Sequence, residues 1–76
     1  MIAFAQFDTV FLANALDARK FAPNQQLYLF REGKAVSEHA VTVVKCDDCV
    51  GFIKLKDPHR VCSRAQRGDD LRKEVG

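Results

Sequence analysis

The sequence predicts an α+β domain: one N-terminal helix packed on a three- to four-stranded antiparallel meander, followed by a short basic helix and a frayed tail. Three observations predict it. The segment Thr9 to Phe21 is rich in Ala and Leu, follows a capping Asp8 and ends in Arg19 and Lys20, where cations suit a helix dipole. From Gln26 onward the chain turns to β-branched and aromatic runs separated by turn residues. Asp57-Pro58 then supplies a helix start of its own.

Taken in order, Ile2 to Phe7 reads as a short strand, although Phe4, Phe7, Phe11, Ala15 and Ala18 also fit helical spacing. The helix is expected over residues 9–21, stopped by Pro23 and Asn24. Leu27-Tyr28-Leu29-Phe30 and Ala35-Val36 flank Arg31-Glu32-Gly33-Lys34, and Gly33 provides the positive φ that a tight hairpin turn requires. A second hairpin joins residues 40–45 to residues 50–55 around Asp47-Asp48. A two-residue loop there pairs Cys46 with Cys49 and Val43 with Phe52. Cys46, Val44, Cys49, Ile53 and Leu55 then share one face, and Val41, Val43, Val50 and Phe52 the other. A single helix covers only one of these apolar faces, which leaves the second for the C-terminal segment or for a partner. From Pro58 a helix carries Arg60, Arg64 and Arg67 on one side, with Gly68 as its stop. The domain is placed at 1–68, and residues 69–76 are expected to be a flexible tail.

At 76 residues and 8.6 kDa the chain has room for one small core and none for a deep catalytic pocket. With 47% hydrophobic residues it is not a disordered chain. Three cysteines do not close a disulfide framework, and the apolar N-terminus has no preceding basic residue and contains Asp8, so it is not read as a secretory leader. No run is long enough to span a bilayer. A cytoplasmic protein without membrane contact is expected. The net charge of +2 is unevenly spread. Residues 54–67 carry Lys54, Lys56, Arg60, Arg64 and Arg67 against Asp57 alone, whereas acids slightly outnumber bases before them.

The chemistry-bearing residues cluster in one window. Cys46, Cys49, His59 and Cys62 follow the pattern C-x2-C-x9-H-x2-C, a donor set for one zinc ion, and the arrangement resembles a small treble-clef or ribbon-type zinc site. A redox role for the Cys46/Cys49 pair is disfavoured, because Asp47 and Asp48 between the thiols oppose thiolate formation. No third group orients a nucleophile, so an enzyme is not expected.

The expected function is therefore that of a small non-enzymatic regulator or inhibitor that binds a larger macromolecular machine, in the manner of small phage proteins acting on host RNA polymerase. Its partner surface is placed at Val43, Val50 and Phe52 as an apolar centre, with Lys54, Lys56, Arg60, Arg64 and Arg67 as a cationic rim. The alternative is a zinc-binding nucleic-acid module using the same cations. A stacking platform of interleaved aromatics is not apparent, since Trp is absent and the sole Tyr28 lies in the first hairpin.

Overall fold

The computed structural model describes residues 1–73 and is built almost wholly from strands. These are β1 (Ile2–Gln6), β2 (Thr9–Leu12), β3 (Gln26–Arg31), β4 (Lys34–Ala35), β5 (Val41–Asp47), β6 (Phe52–Lys56) and β7 (Asp70–Arg72). Short 3-10 turns occupy Ala15–Lys20 and Val61–Arg64. The expected α+β class is thereby corrected to a curled antiparallel sheet, a half-barrel, ordered β1-β2-β6-β5-β3-β4 with β7 on the other side of β3. Two backbone hydrogen bonds lace its open side. The Ile2 amide donates to the Asp69 carbonyl at 2.7 Å, and the Gly68 amide donates to the Ile2 carbonyl at 2.9 Å.

The expected helix over residues 9–21 fails because its first third pairs on both sides. Thr9, Val10 and Phe11 sit opposite Gln6, Ala5 and Phe4 on β1 and opposite Lys54, Ile53 and Phe52 on β6. β-Branched and aromatic residues suit that central position, and the ladder on both edges outweighs the intrinsic preference of the Ala-rich sequence behind it. Only Ala15–Lys20 coils. Asn14 caps it by accepting the Leu16 amide, and Ala18 turns inward as a plug, 1% exposed. The strand expected at residues 2–7 is observed over Ile2–Gln6, and Phe7-Asp8 forms the turn, with Phe7 at φ 53°.

The first sheet hairpin follows its sequence. Glu32 and Gly33 both have positive φ, 53° and 80°, as a two-residue loop between Arg31 and Lys34 demands. The second hairpin does not. Asp47 pairs with Phe52, leaving the four residues 48–51 as its loop, and Cys46 faces Ile53 in place of Cys49. The Asp47 side chain shapes that loop by accepting the Cys49 and Val50 amides. A bulge at Val44 shifts the register again, so Val43 pairs with Leu55. Both Val43 and Leu55 are 1% exposed, on the inner face.

Inward-pointing residues of all the longer strands fill the barrel: Ile2, Val10, Leu12, Leu27, Leu29, Val41, Val43, Ile53 and Leu55. Val61 and Cys62 close it from below. The basic helix expected from Pro58 to Arg67 is also corrected. Four residues, Val61–Arg64, make a 3-10 turn, and Arg60 ahead of it is left-handed at φ 54°. Asp57 is the cap as the sequence indicates, its two carboxylate oxygens accepting the Val61 amide at 2.8 Å and the Cys62 amide at 2.7 Å. Removing it in Asp57→Ala is expected to cost about 1 kcal/mol, checked as a lowered urea midpoint with an unchanged slope.

The tail expected from residue 69 is absent over 69–72. Asp69 is 2% exposed and β7 pairs with Tyr28, Leu29 and Phe30. Asp69 accepts from Arg31 Nε and Nη2, each at 2.9 Å, and from the Gln66 amide. The Arg31 guanidinium also donates to the Arg64 carbonyl, which joins three segments at one pair. The remainder of the expected tail, residues 74–76, lies outside the described residues.

Candidate protein-binding face

Antiparallel pairing sorts the outer surface of β1, β2, β6 and β5 into rows. One row runs Phe4, Phe11, Phe52 and Asp47, and the next outward-facing row runs Gln6, Thr9, Lys54 and Lys45. Between them the inward row of Ala5, Val10, Ile53 and Cys46 faces the core. Beyond lie Lys56 and Thr42, opposite each other. An aromatic ridge thus lies beside a lysine strip on one exposed sheet face.

Ring geometry defines what this ridge offers. Phe4 and Phe11 stack with centroids 4.5 Å apart and planes 16° from parallel, and Phe11 meets Phe52 at 6.3 Å, tilted by 54°. The Lys45 ammonium stands 6.0 Å from the Phe52 centroid. One face of Phe4 is therefore stacked on Phe11, and a cation approaches the Phe52 ring. Phe4 is 52% exposed, and nearby Phe7 at the hairpin tip is 87% exposed. Lys45 and Lys54 oppose each other directly across strands, a like-charge pairing that disfavours the isolated fold.

Of the partner residues expected from sequence, Phe52, Lys54 and Lys56 lie on this face. Val43 is in the core, displaced there by the Val44 bulge, and Val50 is exposed at the loop tip. Arg60, Arg64 and Arg67 are exposed but share no helical face. Phe4 and Phe11 belong to the face without belonging to the expected set. Their sequence signal is the two-residue Phe7-Asp8 turn, which places Phe4 and Phe11 on the same side of one hairpin.

The four expected zinc ligands are not brought together. Cys49 is at the tip of the β5–β6 loop, whereas His59 follows the far end of β6, about 13 Å of strand away. Cys46 is half-buried beside Ile53 and Cys62 is buried under the barrel. Among the described residues, the donors that converge are Asp47, Asp48 and Cys49. Asp47 is occupied with loop amides and Asp48 with Arg19 Nε at 2.7 Å, a contact that holds its carboxyl below the usual range. Burial raises the Cys46 thiol. Burial, reinforced by the neighbouring Asp57, pushes Cys62 up to about 12. Both shifts move the thiols away from the thiolate form that a nucleophile requires.

Three open clefts lie elsewhere on the surface. One of about 430 Å³ is lined by Phe7, Asp8, Asp57, Arg60 and Ser63. Two of about 360 and 350 Å³ lie on either side of His39 and His59. Among the described residues, no helix is long and apolar enough to cross a membrane. No protein-family model matches the chain, and neither a curated protein nor a solved structure matches it.

Proposed function

We propose that this chain is a non-enzymatic binding protein that regulates a larger macromolecular machine, RNA polymerase being one example, by docking its outer sheet face on an acidic protein surface. The observation that carries the reading is the in-register row Phe4, Phe11 and Phe52 beside Lys45, Lys54 and Lys56. A protein interface draws its energy from a desolvated aromatic centre and its association rate from complementary charge at the rim. The opposed Lys45 and Lys54 support an anionic partner, because bound carboxylates relieve a repulsion that the free chain has to bear. The Phe4–Phe11 stack and the Lys45 contact at Phe52 leave fewer ring faces for bases to stack on, which favours a protein over single-stranded nucleic acid. The three free cysteines fit a reducing compartment such as the cytoplasm.

The test is capture of a partner from nuclease-treated extract, followed by kinetics on the purified pair. Phe52→Ala is expected to speed dissociation at least tenfold while keeping the circular dichroism of the folded chain, since Phe52 is half-buried on the outer face. Lys54→Glu with Lys56→Glu is expected to slow association and flatten its dependence on salt. A partner whose binding ignores both changes would overturn this placement. Tight, salt-sensitive binding of a single-stranded oligonucleotide that is lost in Phe52→Ala would replace the protein partner with nucleic acid.

A further inference from the structure

We infer that the tip of the β1–β2 hairpin is a self-association site, at which two copies of this chain dock through Phe7 and the cleft beside it. The site is independent of the lysine-flanked sheet face. Phe7 occupies the first position of a two-residue loop at φ 53°, a conformation that glycine, asparagine or aspartate adopts with less strain than a bulky ring does. The ring is also 87% exposed, so no packing within the chain offsets that strain. An aromatic held out in this way contributes stabilisation when a partner covers it.

Charge identifies the partner. Phe7 shares a cleft of about 430 Å³ with Asp8, Asp57, Arg60 and Ser63. Arg60 is exposed and also holds a positive φ, 54°. Two carboxylates and a guanidinium line this one cleft, yet among the described residues Arg60 forms no ion pair. The Asp57 oxygens are engaged by the Val61 and Cys62 amides, whereas Asp8 accepts a 3.3 Å hydrogen bond from the adjacent Thr9 hydroxyl. Asp8 and Arg60 are thus opposite charges on one cleft, each open to a group from outside the chain. A wholly acidic surface is repelled by Asp8 and Asp57, and a wholly basic one by Arg60. A second copy carries both signs and the aromatic. About a twofold axis every contact recurs with its roles exchanged, so Asp8 of each chain meets Arg60 of the other and the two Phe7 rings meet at the axis. The patch is small beside the roughly 800 Å² per partner of a standard interface, which sets a weak dimer with a dissociation constant of about 100 µM.

Sedimentation velocity of the chain from about 10 µM to about 1 mM tests this, in a Cys49→Ser background that removes disulfide dimers through the exposed thiol. The sedimentation coefficient is expected to rise from that of a monomer to that of a dimer across the range. Phe7→Gly should weaken dimerisation at least tenfold without lowering the melting temperature of the dilute chain, because it relieves the strained φ and removes a ring that the monomer leaves unpacked. Asp8→Arg and Arg60→Asp should each weaken it to a similar degree, and the double variant should restore it. A chain still monomeric at about 1 mM, or a dimer that survives both Phe7→Gly and Arg60→Asp, would overturn the site. A dimer lost in Phe52→Ala but kept in Phe7→Gly would assign the self-contact to the sheet face and overturn it equally.

Discussion

Asp69→Ala is expected to destabilise the chain by about 3 kcal/mol, enough to lower the melting temperature of a domain this small by about 15 °C. The carboxylate is 2% exposed and holds both Nε and Nη2 of Arg31 as well as the Gln66 amide. Its removal leaves a guanidinium without its paired charge and an amide without an acceptor, while β7 loses its tie to the end of β3. Arg31→Lys should also destabilise, because an ammonium cannot reproduce the two-pronged contact. The pH dependence has a defined sign. The hydrogen-bonded Arg31 guanidinium lowers the Asp69 carboxyl below its ordinary value, despite the opposing effect of burial. Its contribution is thus complete above the unfolded-chain value of about 4 and is lost as pH falls through the lower folded-state value. Thermal melts between pH 2 and about 6 should therefore fall more gently in Asp69→Asn than in the parent chain. Parallel curves would contradict the assignment.

Gly51→Ala is expected to be of similar severity, for two additive reasons. Gly51 holds φ at +86°, and a β-carbon there would stand 2.7 Å from the Ala15 α-carbon and 3.1 Å from its β-carbon. Backbone cannot yield as a flexible side chain would. The Gly51 amide is also bonded to the Asp47 carbonyl, and its own carbonyl accepts the Leu12 amide, so the segment is fixed on two sides. The loss should reach about 3 kcal/mol. Gly33 supplies the control: its φ is +80°, but a β-carbon added there would meet nothing within 4 Å, so Gly33→Ala should cost only about 1 kcal/mol. Urea midpoints of the two variants separate conformational strain from collision, and equal losses would remove the role given to the Ala15 contact.

The sequence reveals structure where local chemistry decides and conceals it where pairing decides. Arg31-Glu32-Gly33-Lys34 is readable as a turn because Gly33 supplies one of its two positive φ values, whereas the φ of 53° at Glu32 is imposed by the hairpin and not written in its residue type. Asp57 is readable as a cap for the same reason, although the helix expected beyond it shrinks to Val61–Arg64. The helix expected from Thr9 rests on a coincidence. Phe4, Phe7 and Phe11 fall at helical spacing, yet Phe4 and Phe11 are cross-strand partners and Phe7 is the turn between them. Two short strands joined by a tight turn can mimic one amphipathic helix when the aromatics recur every three or four residues.

Register explains the partial recovery of the candidate site. Phe52, Lys54 and Lys56 alternate outward along one strand, so their common face is visible without knowing the partner strand. Val43 falls on the face opposite to the expected one because the Val44 bulge moves pairing by one residue, and a one-residue shift exchanges the two faces. The cysteine pattern misleads through distance: spacing along the chain places Cys49 and His59 together, whereas a full strand carries them to opposite ends of a hairpin. His39 and His59 show the converse, brought into contact by two loops at the same end of the sheet.

The lacing of Ile2 to Gly68 and Asp69 governs when the chain can fold during synthesis. β1 gains its second set of backbone partners, and Arg31 its buried counter-charge, only after residue 69 is available. Contacts between segments so distant in sequence bear their loop-closure entropy before they return any stabilisation, which slows folding relative to a helical chain of the same length. A ribosome-bound chain halted before Gly68 should therefore remain accessible to proteases along β3, and become resistant in one step once the segment through Arg72 has cleared the exit tunnel.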